Sequence, residues 1–95
     1  MEVIALTPYV DWLAGLKNRK DALRISARIL RIEQNNFGDC KSVGDGVSEL
    51  RFTFGPGYRV YYTLREGTVC ILLGGGTKQR QQKDIATAKD LAARV

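Results

Sequence analysis

Residues 49–64 read ELRFTFGPGYRVYYTL, and this segment predicts a β-hairpin. Two runs rich in aromatic and β-branched residues flank a short turn at Gly55-Pro56-Gly57. Successive side chains of a strand point to opposite faces, so Leu50, Phe52 and Phe54 share one face of the first strand. We expect this apolar face to lie under helices and to form the centre of the core.

The opposite face of the predicted hairpin carries two arginines. A symmetric turn would place Thr53 opposite Arg59, and Arg51 would then face Tyr61. The two arginines would be diagonal neighbours, and their guanidinium groups repel unless an anion or an acid lies between them. Glu49 is the acid of the hairpin whose strand parity puts it on this face. The hairpin therefore predicts an anion site, for which RNA phosphate is one candidate ligand.

Composition limits the class of protein. The 95 residues predict one domain, and a net charge of +5 with a pI of about 9.5 favours anionic partners. We expect a cytoplasmic protein without a membrane partner, since the chain lacks a signal-peptide pattern and an apolar run near the roughly 20 residues of a span. Cys40 and Cys70 have no metal-ligand spacing and histidine is absent, which predicts two reduced thiols and no metal or other cofactor.

Two helices are predicted before the hairpin. Residues 2–6 favour a short strand, and a helix should follow in which Thr7 is the cap and Pro8 is the first residue. Asn18 with Asp21 resembles the cap of a second helix that reaches about Gln34 and carries a broad apolar stripe. Four elements complete the prediction: a polar connection over residues 40–48, an apolar strand over 68–73, a glycine-rich basic loop over 74–83 and a helix over 84–95.

The second helix carries a line of cations. They recur at steps of three or four residues and are Lys17, Lys20, Arg24, Arg28 and Arg31. Such a line is typical of a solvated helix face, but it also suits a surface that tracks an RNA backbone or a docking strip for an acidic partner. These alternatives stay open at this point.

The glycine run over residues 74–76 is followed by Thr77 and Lys78. It lacks the four-residue spacer and the Gly-Lys-Ser/Thr ending of a phosphate-binding Walker loop. We interpret it as a flexible connector that lets Lys78 and Arg80 reach over the edge of the sheet.

Four longer sequence motifs resemble those of a known family. They are VGDGVSELR at residues 43–51, GPGYRVYY at 55–62, LLGGGTK at 72–78 and DIATAK at 84–89. Together they resemble the RelE/HigB-type addiction-module killer proteins, and more narrowly the phage-derived killer branch, from Thr7 to Leu91. The resemblance implies a RelE-like α+β fold of order β-α-α-β-β-β-α. Its small twisted, mainly antiparallel sheet would have the αα-hairpin on one face and a C-terminal helix.

The resemblance also implies a function. Such proteins are toxins of type II toxin–antitoxin systems, paired with a cognate antitoxin that is often of the helix-turn-helix type. Their usual activity is ribosome-dependent mRNA cleavage, in which a ribose 2′-hydroxyl attacks the adjacent phosphate without a metal ion. The chain would then be an mRNA endoribonuclease whose partners are the ribosome, mRNA and the antitoxin.

Catalytic residues follow from the same resemblance. Arg59 matches the arginine of the Gly-Tyr-Arg element, and Lys78 lies where relatives place another basic catalytic residue. Lys41 and Arg51 lie near lysines that relatives carry before and on the first hairpin strand, although the register differs. Candidate RNA contacts are the cations of the second helix together with Tyr61 and Arg80. For proton transfer, Lys78 is the better general acid because arginine stays charged; Asp84, Gln82 and Tyr61 are further stand-ins.

Two other functions remain compatible with these residues. A gyrase-directed toxin of the related ParE type shares the fold and does not cut RNA. A non-catalytic basic module would act by binding an antitoxin and operator DNA. The Arg51–Arg59 cluster argues against the gyrase-directed function only in part, because a fold does not fix a function.

Overall fold

The computed structural model describes residues 1–95 and has a five-stranded mixed sheet with three helices. The elements in chain order are β1 Glu2–Ala5, α1 Thr7–Ala14, α2 Arg19–Ile32, β2 Cys40–Gly44, β3 Val47–Arg51, β4 Tyr58–Arg65, β5 Val69–Thr77, a 3₁₀ turn at Lys78–Arg80 and α3 Gln81–Ala92. The predicted α+β class is confirmed. No helix has the length and apolar character needed to cross a membrane.

The sheet has the strand order β1-β5-β4-β3-β2. β1 pairs with β5 in parallel, and the other three neighbouring pairs are antiparallel. The αα-hairpin carries the chain from the edge strand β1 to the opposite edge strand β2. The prediction of a mainly antiparallel sheet is confirmed.

The first core lies between the sheet and helices α1 and α2. Its buried members are Tyr9, Ile25, Ile32, Leu50, Phe52, Tyr58, Val60, Tyr62, Cys70 and Leu72. Phe52 is buried as predicted, and Tyr62 is buried too. The Asn18 side chain accepts a hydrogen bond from the Asp21 amide at 3.0 Å, which confirms the predicted cap of α2. The predicted cap at Thr7 is wrong, because α1 already begins at Thr7 and follows Leu6 without a side-chain cap. The apolar stripe of α2 is narrower than predicted, since Leu23 and Leu30 point to solvent.

A second core lies on the other face of the sheet, under α3. Its buried members are Val47, Tyr61, Ile71, Leu73 and Ala88. The arginine face of the hairpin is therefore covered in part. α3 begins at Gln81, three residues earlier than predicted, and covers the part of this face that contains Tyr61. Only the end beyond the start of α3 stays open.

The strand β2 replaces the polar connection predicted over residues 40–48. Asp45 and Gly46 adopt positive φ values of 56° and 76°, which close a tight hairpin between β2 and β3. The strand lies at the edge of the sheet and is mostly exposed, so its polar side chains remain in water. The polar composition of this strand is therefore similar to that of a loop.

The glycine run is also strand and not a flexible connector. β5 extends to Thr77, and two of its glycines are sites of close packing. A Cβ atom at Gly75 would lie 2.2 Å from the Trp12 ring, and one at Gly76 would lie 1.9 Å from Oδ2 of Asp84. Glycine is required here because α1 and α3 approach the backbone of β5 closely.

We predict that Phe52→Ala lowers the free energy of unfolding by about 3–5 kcal/mol, because it empties the centre of the first core. The Phe52 ring contacts the Phe54 ring with centroids 5.7 Å apart and is 3 % exposed. Urea unfolding followed by circular dichroism measures the change. Leu23→Ala is the control and should stay within about 0.5 kcal/mol of the parent, since Leu23 is 69 % exposed. Equal losses in the two variants would contradict the assignment of the core.

Candidate anion-binding site

The face of the sheet toward α3 carries a block of four polar side chains on β3 and β4. Glu49 pairs with Tyr61, and Arg51 pairs directly with Arg59. The predicted diagonal arrangement is therefore wrong. The Phe52 amide donates to the Tyr58 carbonyl at 3.1 Å, so the pairing is centred on Gly55 instead of Pro56. The positive φ values of Gly55 and Gly57, 60° and 77°, permit this turn, and the faces of the strands are unchanged.

Arg51 is neutralised by an acid from outside the hairpin. Its Nη2 and Nε donate to Oδ1 of Asp39 at 2.7 Å and 3.1 Å. This hydrogen bond holds the pKa of Asp39 below its usual range and raises that of Arg51. Glu49, the acid predicted for this role, does not form an ion pair with either arginine. Arg51 is therefore occupied and is less available to a ligand than the sequence suggested.

Arg59 is the cation of the block without an acid. Its Nη1 donates to the carbonyls of Gly57 and Tyr58 at 3.2 Å and 3.0 Å. Its Nε is buried and has no hydrogen-bond partner. A guanidinium that forms no ion pair, with Nη1 held by two carbonyls, is suited to bind an anion.

Lys78 reaches the same place from the 3₁₀ turn. Its amide donates to the Gly57 carbonyl at 2.8 Å. A Cβ atom at Gly57 would lie 3.3 Å from Cβ of Lys78 and 3.7 Å from Nη1 of Arg59, so the two side chains flank this glycine. They line an open pocket of about 490 Å³ with Phe52, Thr53, Gly55, Pro56 and Gly57. We call it the Arg59–Lys78 pocket.

A second groove adjoins this pocket. It has a volume of about 400 Å³ and is lined by Arg24, Ala27, Arg28, Arg31, Asp39, Arg51, Phe52, Thr53 and Phe54. Phe52 and Thr53 belong to both, so the two concavities form one continuous basic surface. On the other side, Lys78, Arg80 and Lys83 line a further open concavity. Cations thus follow a path from α2 across the end of the sheet to the start of α3.

The cations of α2 differ in their surroundings. The Arg24 guanidinium lies 3.7 Å from the centroid of the Phe54 ring, and that of Arg28 lies 4.5 Å from the Phe52 ring. Arg24 remains exposed, as do Lys17, Lys20 and Arg31. Four of the five predicted cations are therefore exposed, Arg28 is the exception, and Lys17 lies before α2, which begins at Arg19.

Arg28 joins α2 to the strands. Its Nη1 donates to the Arg51 carbonyl, and its Nη2 donates to the carbonyls of Phe37 and Asp39 at 3.3 Å and 2.5 Å. Burial lowers the pKa of Arg28, and the nearby Asp39 opposes this shift. Because its donors are used within the protein, Arg28 contributes to structure first and to the basic surface second.

Three other predicted residues lie away from the pocket or inside the protein. Lys41 is exposed on the edge strand β2 opposite Glu49 and does not line the pocket. The prediction that Tyr61 contacts RNA is wrong, because its side chain lies under α3 and is only 1 % exposed. Burial raises the pKa of Tyr61, with smaller contributions from the charges of Glu49 and Asp84. Gln82 is exposed beside the concavity at the start of α3.

Two contacts of the site could not be read from the sequence. Glu49 is buried, and Nε2 of Gln81 donates to its Oε1 and Oε2 at 3.0 Å and 2.9 Å. Asp84 packs against Gly76, which pairs with Arg59, and burial raises the pKa of Asp84. Strand parity placed Glu49 on the arginine face, but only the position of α3 shows that Gln81 lies over it.

The fold and the pocket define a small basic α+β protein with an open pocket lined by an arginine and a lysine at one end of its sheet. Residues 11–94 match the model of the family described as "Phage derived protein Gp49-like (DUF891)", and the chain belongs to this family, a toxin family of toxin–antitoxin systems. A curated relative from Haemophilus influenzae, named "Uncharacterized protein", is 53 % identical over 82 residues, which cover 86 % of this chain and 83 % of the relative. No solved structure matches the chain.

The contacts of Arg28 lead to a prediction about stability. Arg28→Ala should lower the free energy of unfolding by about 1.5–3 kcal/mol, because it removes charged donors from three carbonyls. Arg31→Ala removes a neighbouring exposed arginine of the same helix and should change it by less than about 0.5 kcal/mol. Urea unfolding measures both values. If the two variants are equally stable, Arg28 belongs with the solvated cations of the line.

Proposed function

We propose that this chain is a RelE-like toxin that cleaves mRNA on the ribosome. One observation carries the proposal: Arg59 and Lys78, from different segments, converge on Gly57 in one open pocket. Membership of a toxin family supports the same function. The basic path from α2 to the start of α3 provides an electrostatic surface for the polyanionic substrate.

The chemistry assigned to this pocket is transfer within the RNA backbone. The ribose 2′-oxygen attacks the adjacent phosphorus, and the bond from phosphorus to the 5′-oxygen of the next nucleotide breaks. The products are a 2′,3′-cyclic phosphate and a free 5′-hydroxyl. Arg59 binds the phosphate and stabilises the negative charge that builds up in the transition state, since an arginine keeps its charge throughout.

Lys78 supplies the proton that the leaving 5′-oxygen requires. An ammonium group can give up a proton, whereas the Arg59 guanidinium cannot, so the two cations have different roles. The proton of the attacking 2′-hydroxyl passes to solvent or to the ribosome. Arg24, Arg31 and Arg80 hold neighbouring phosphates along the path, and Lys41 lies at its margin.

The proposal includes partners and a location. A toxin of this family is paired with an antitoxin, for which a helix-turn-helix protein is our expectation. The ribosome and mRNA are the other partners, and the cytoplasm is the compartment in which they meet.

A second candidate function rests on the same surface. A basic path of this kind also suits the backbone of duplex DNA, as a gyrase-directed toxin or an operator-binding module would need. The ion pair of Arg51 with Asp39 favours this candidate. Cleavage would benefit from several free cations at the pocket, and this ion pair removes one of them. Cleavage and supercoiling assays on the same preparation separate the two.

We predict that Arg59→Ala abolishes cleavage of ribosome-bound mRNA and growth inhibition, because the phosphate loses its principal cation. Lys78→Ala should slow cleavage by roughly 10²–10⁴-fold, the usual contribution of a proton-transfer group. Primer extension on ribosome-bound mRNA measures both. Arg65→Ala is the matched control, since it removes an exposed arginine at the other end of β4.

Circular dichroism and antitoxin pull-down show whether each variant remains folded. A folding defect would remove antitoxin binding as well, whereas a site defect would not. An Arg59→Ala protein that is folded and cleaves like the parent would show that this pocket is not the active site. A parent protein that inhibits gyrase and leaves mRNA intact would establish the second candidate function.

A further inference from the structure

The 3₁₀ turn that carries Lys78 is held at both of its ends. At the first end, the Lys78 amide donates to the Gly57 carbonyl at 2.8 Å. Immediately after the turn, Gln81 donates to both carboxylate oxygens of Glu49 at 3.0 Å and 2.9 Å. The turn has only three residues, so these two attachments fix where Lys78 and Arg80 lie relative to β3 and β4.

Glu49 is an unusual anchor because it is a carboxylate in the interior. It is 2 % exposed, and its hydrogen-bond partner is Gln81. The ion pairs of the protein are Arg51 with Asp39 and Lys89 with Asp45, so no cation pairs with Glu49. A buried charge with a single donor group loses much of its compensation when that donor moves away. The position of Gln81 is therefore strongly specified.

The anchor lies beside the proposed site. Glu49 is two residues before Arg51 on β3, and its pairing partner Tyr61 is two residues after Arg59 on β4. All four side chains are on the same face of the sheet, so Glu49 is a neighbour of both arginines. Gln81 follows Lys78 by three residues. One side-chain contact thus connects the strand that carries Arg51 to the turn that carries Lys78.

We propose that Glu49 and Gln81 form a positioning pair that sets the distance between Lys78 and Arg59, an inference that rests on the cleavage function proposed above. Neither residue is a catalytic group. Glu49 is buried with both oxygens bound, and Gln81 points its amide inward to it. Their contribution is to hold the Lys78 ammonium near the leaving oxygen. A shift of about 1 Å in such a group can cost about 10²-fold in rate.

The test compares the same change at two glutamines. Gln81→Leu keeps the size of the side chain and removes its donor, and Gln34→Leu makes the same change at an exposed position after α2, outside the basic path. Gln81→Asn keeps the amide but is too short to reach Glu49, and it serves if the leucine variant does not fold. The exchange variant Glu49→Gln with Gln81→Glu restores a carboxylate–amide contact with the roles reversed.

Single-turnover and steady-state cleavage of ribosome-bound mRNA give kcat and KM for each variant. We expect Gln81→Leu to lower kcat by about 10–100-fold with KM within about threefold of the parent, and Gln34→Leu to match the parent. The exchange variant should recover most of kcat. A merely structural role predicts instead that kcat follows the folded fraction, so each assay is run where urea unfolding shows the variant fully folded.

Hydrogen exchange of residues 77–83 provides a readout independent of cleavage. Faster exchange in Gln81→Leu and not in Gln34→Leu supports the positioning pair even if the parent fails to cleave mRNA, an outcome that would overturn only the proposed function. Exchange and kcat like those of the parent in Gln81→Leu would overturn the positioning pair. So would an equal loss of kcat in Gln34→Leu.

Discussion

Two arginines face each other across β3 and β4, and the local structure depends on how the repulsion between their charges is compensated. Like charges directly opposite each other destabilise an antiparallel pair, so Arg51 next to Arg59 needs compensation. Asp39 supplies it to Arg51 alone and reaches it because Arg28 holds the Asp39 carbonyl against α2. Arg59 is left without an acid. The asymmetry between two equivalent side chains is what makes one structural and the other available.

Helix α3 divides one face of the sheet into two environments. Tyr61, Ile71 and Leu73 lie in the dry part beneath the helix, whereas Arg59 lies at the part that the helix does not reach. Strand β4 therefore contributes Tyr61 to the second core and Arg59, two residues earlier, to the pocket.

Much of this arrangement followed from local patterns. The hairpin, its two faces and the cap at Asn18 required only strand parity, turn residues and helix periodicity, whereas the choice of Arg59 and Lys78 rested on the family resemblance. The pairing of Arg51 with Arg59 was missed because it depends on which glycine centres the turn. The burial of Tyr61, the strand β2 and the contact of Gln81 with Glu49 were missed because each is set by packing between distant segments.

The close approach of α1 to β5 provides a spectroscopic property. Trp12 is the single tryptophan of the chain, and its ring lies so near Gly75 that a Cβ atom there would be 2.2 Å away. Its centroid is also 6.1 Å from that of Tyr58, the residue before Arg59. Intrinsic fluorescence excited at the indole thus reports from one defined location between the helical layer and the strand that leads into Lys78. A movement of Tyr58 or of the β5 backbone that alters the surroundings of the indole should therefore change its emission, and the unlabelled protein can report it.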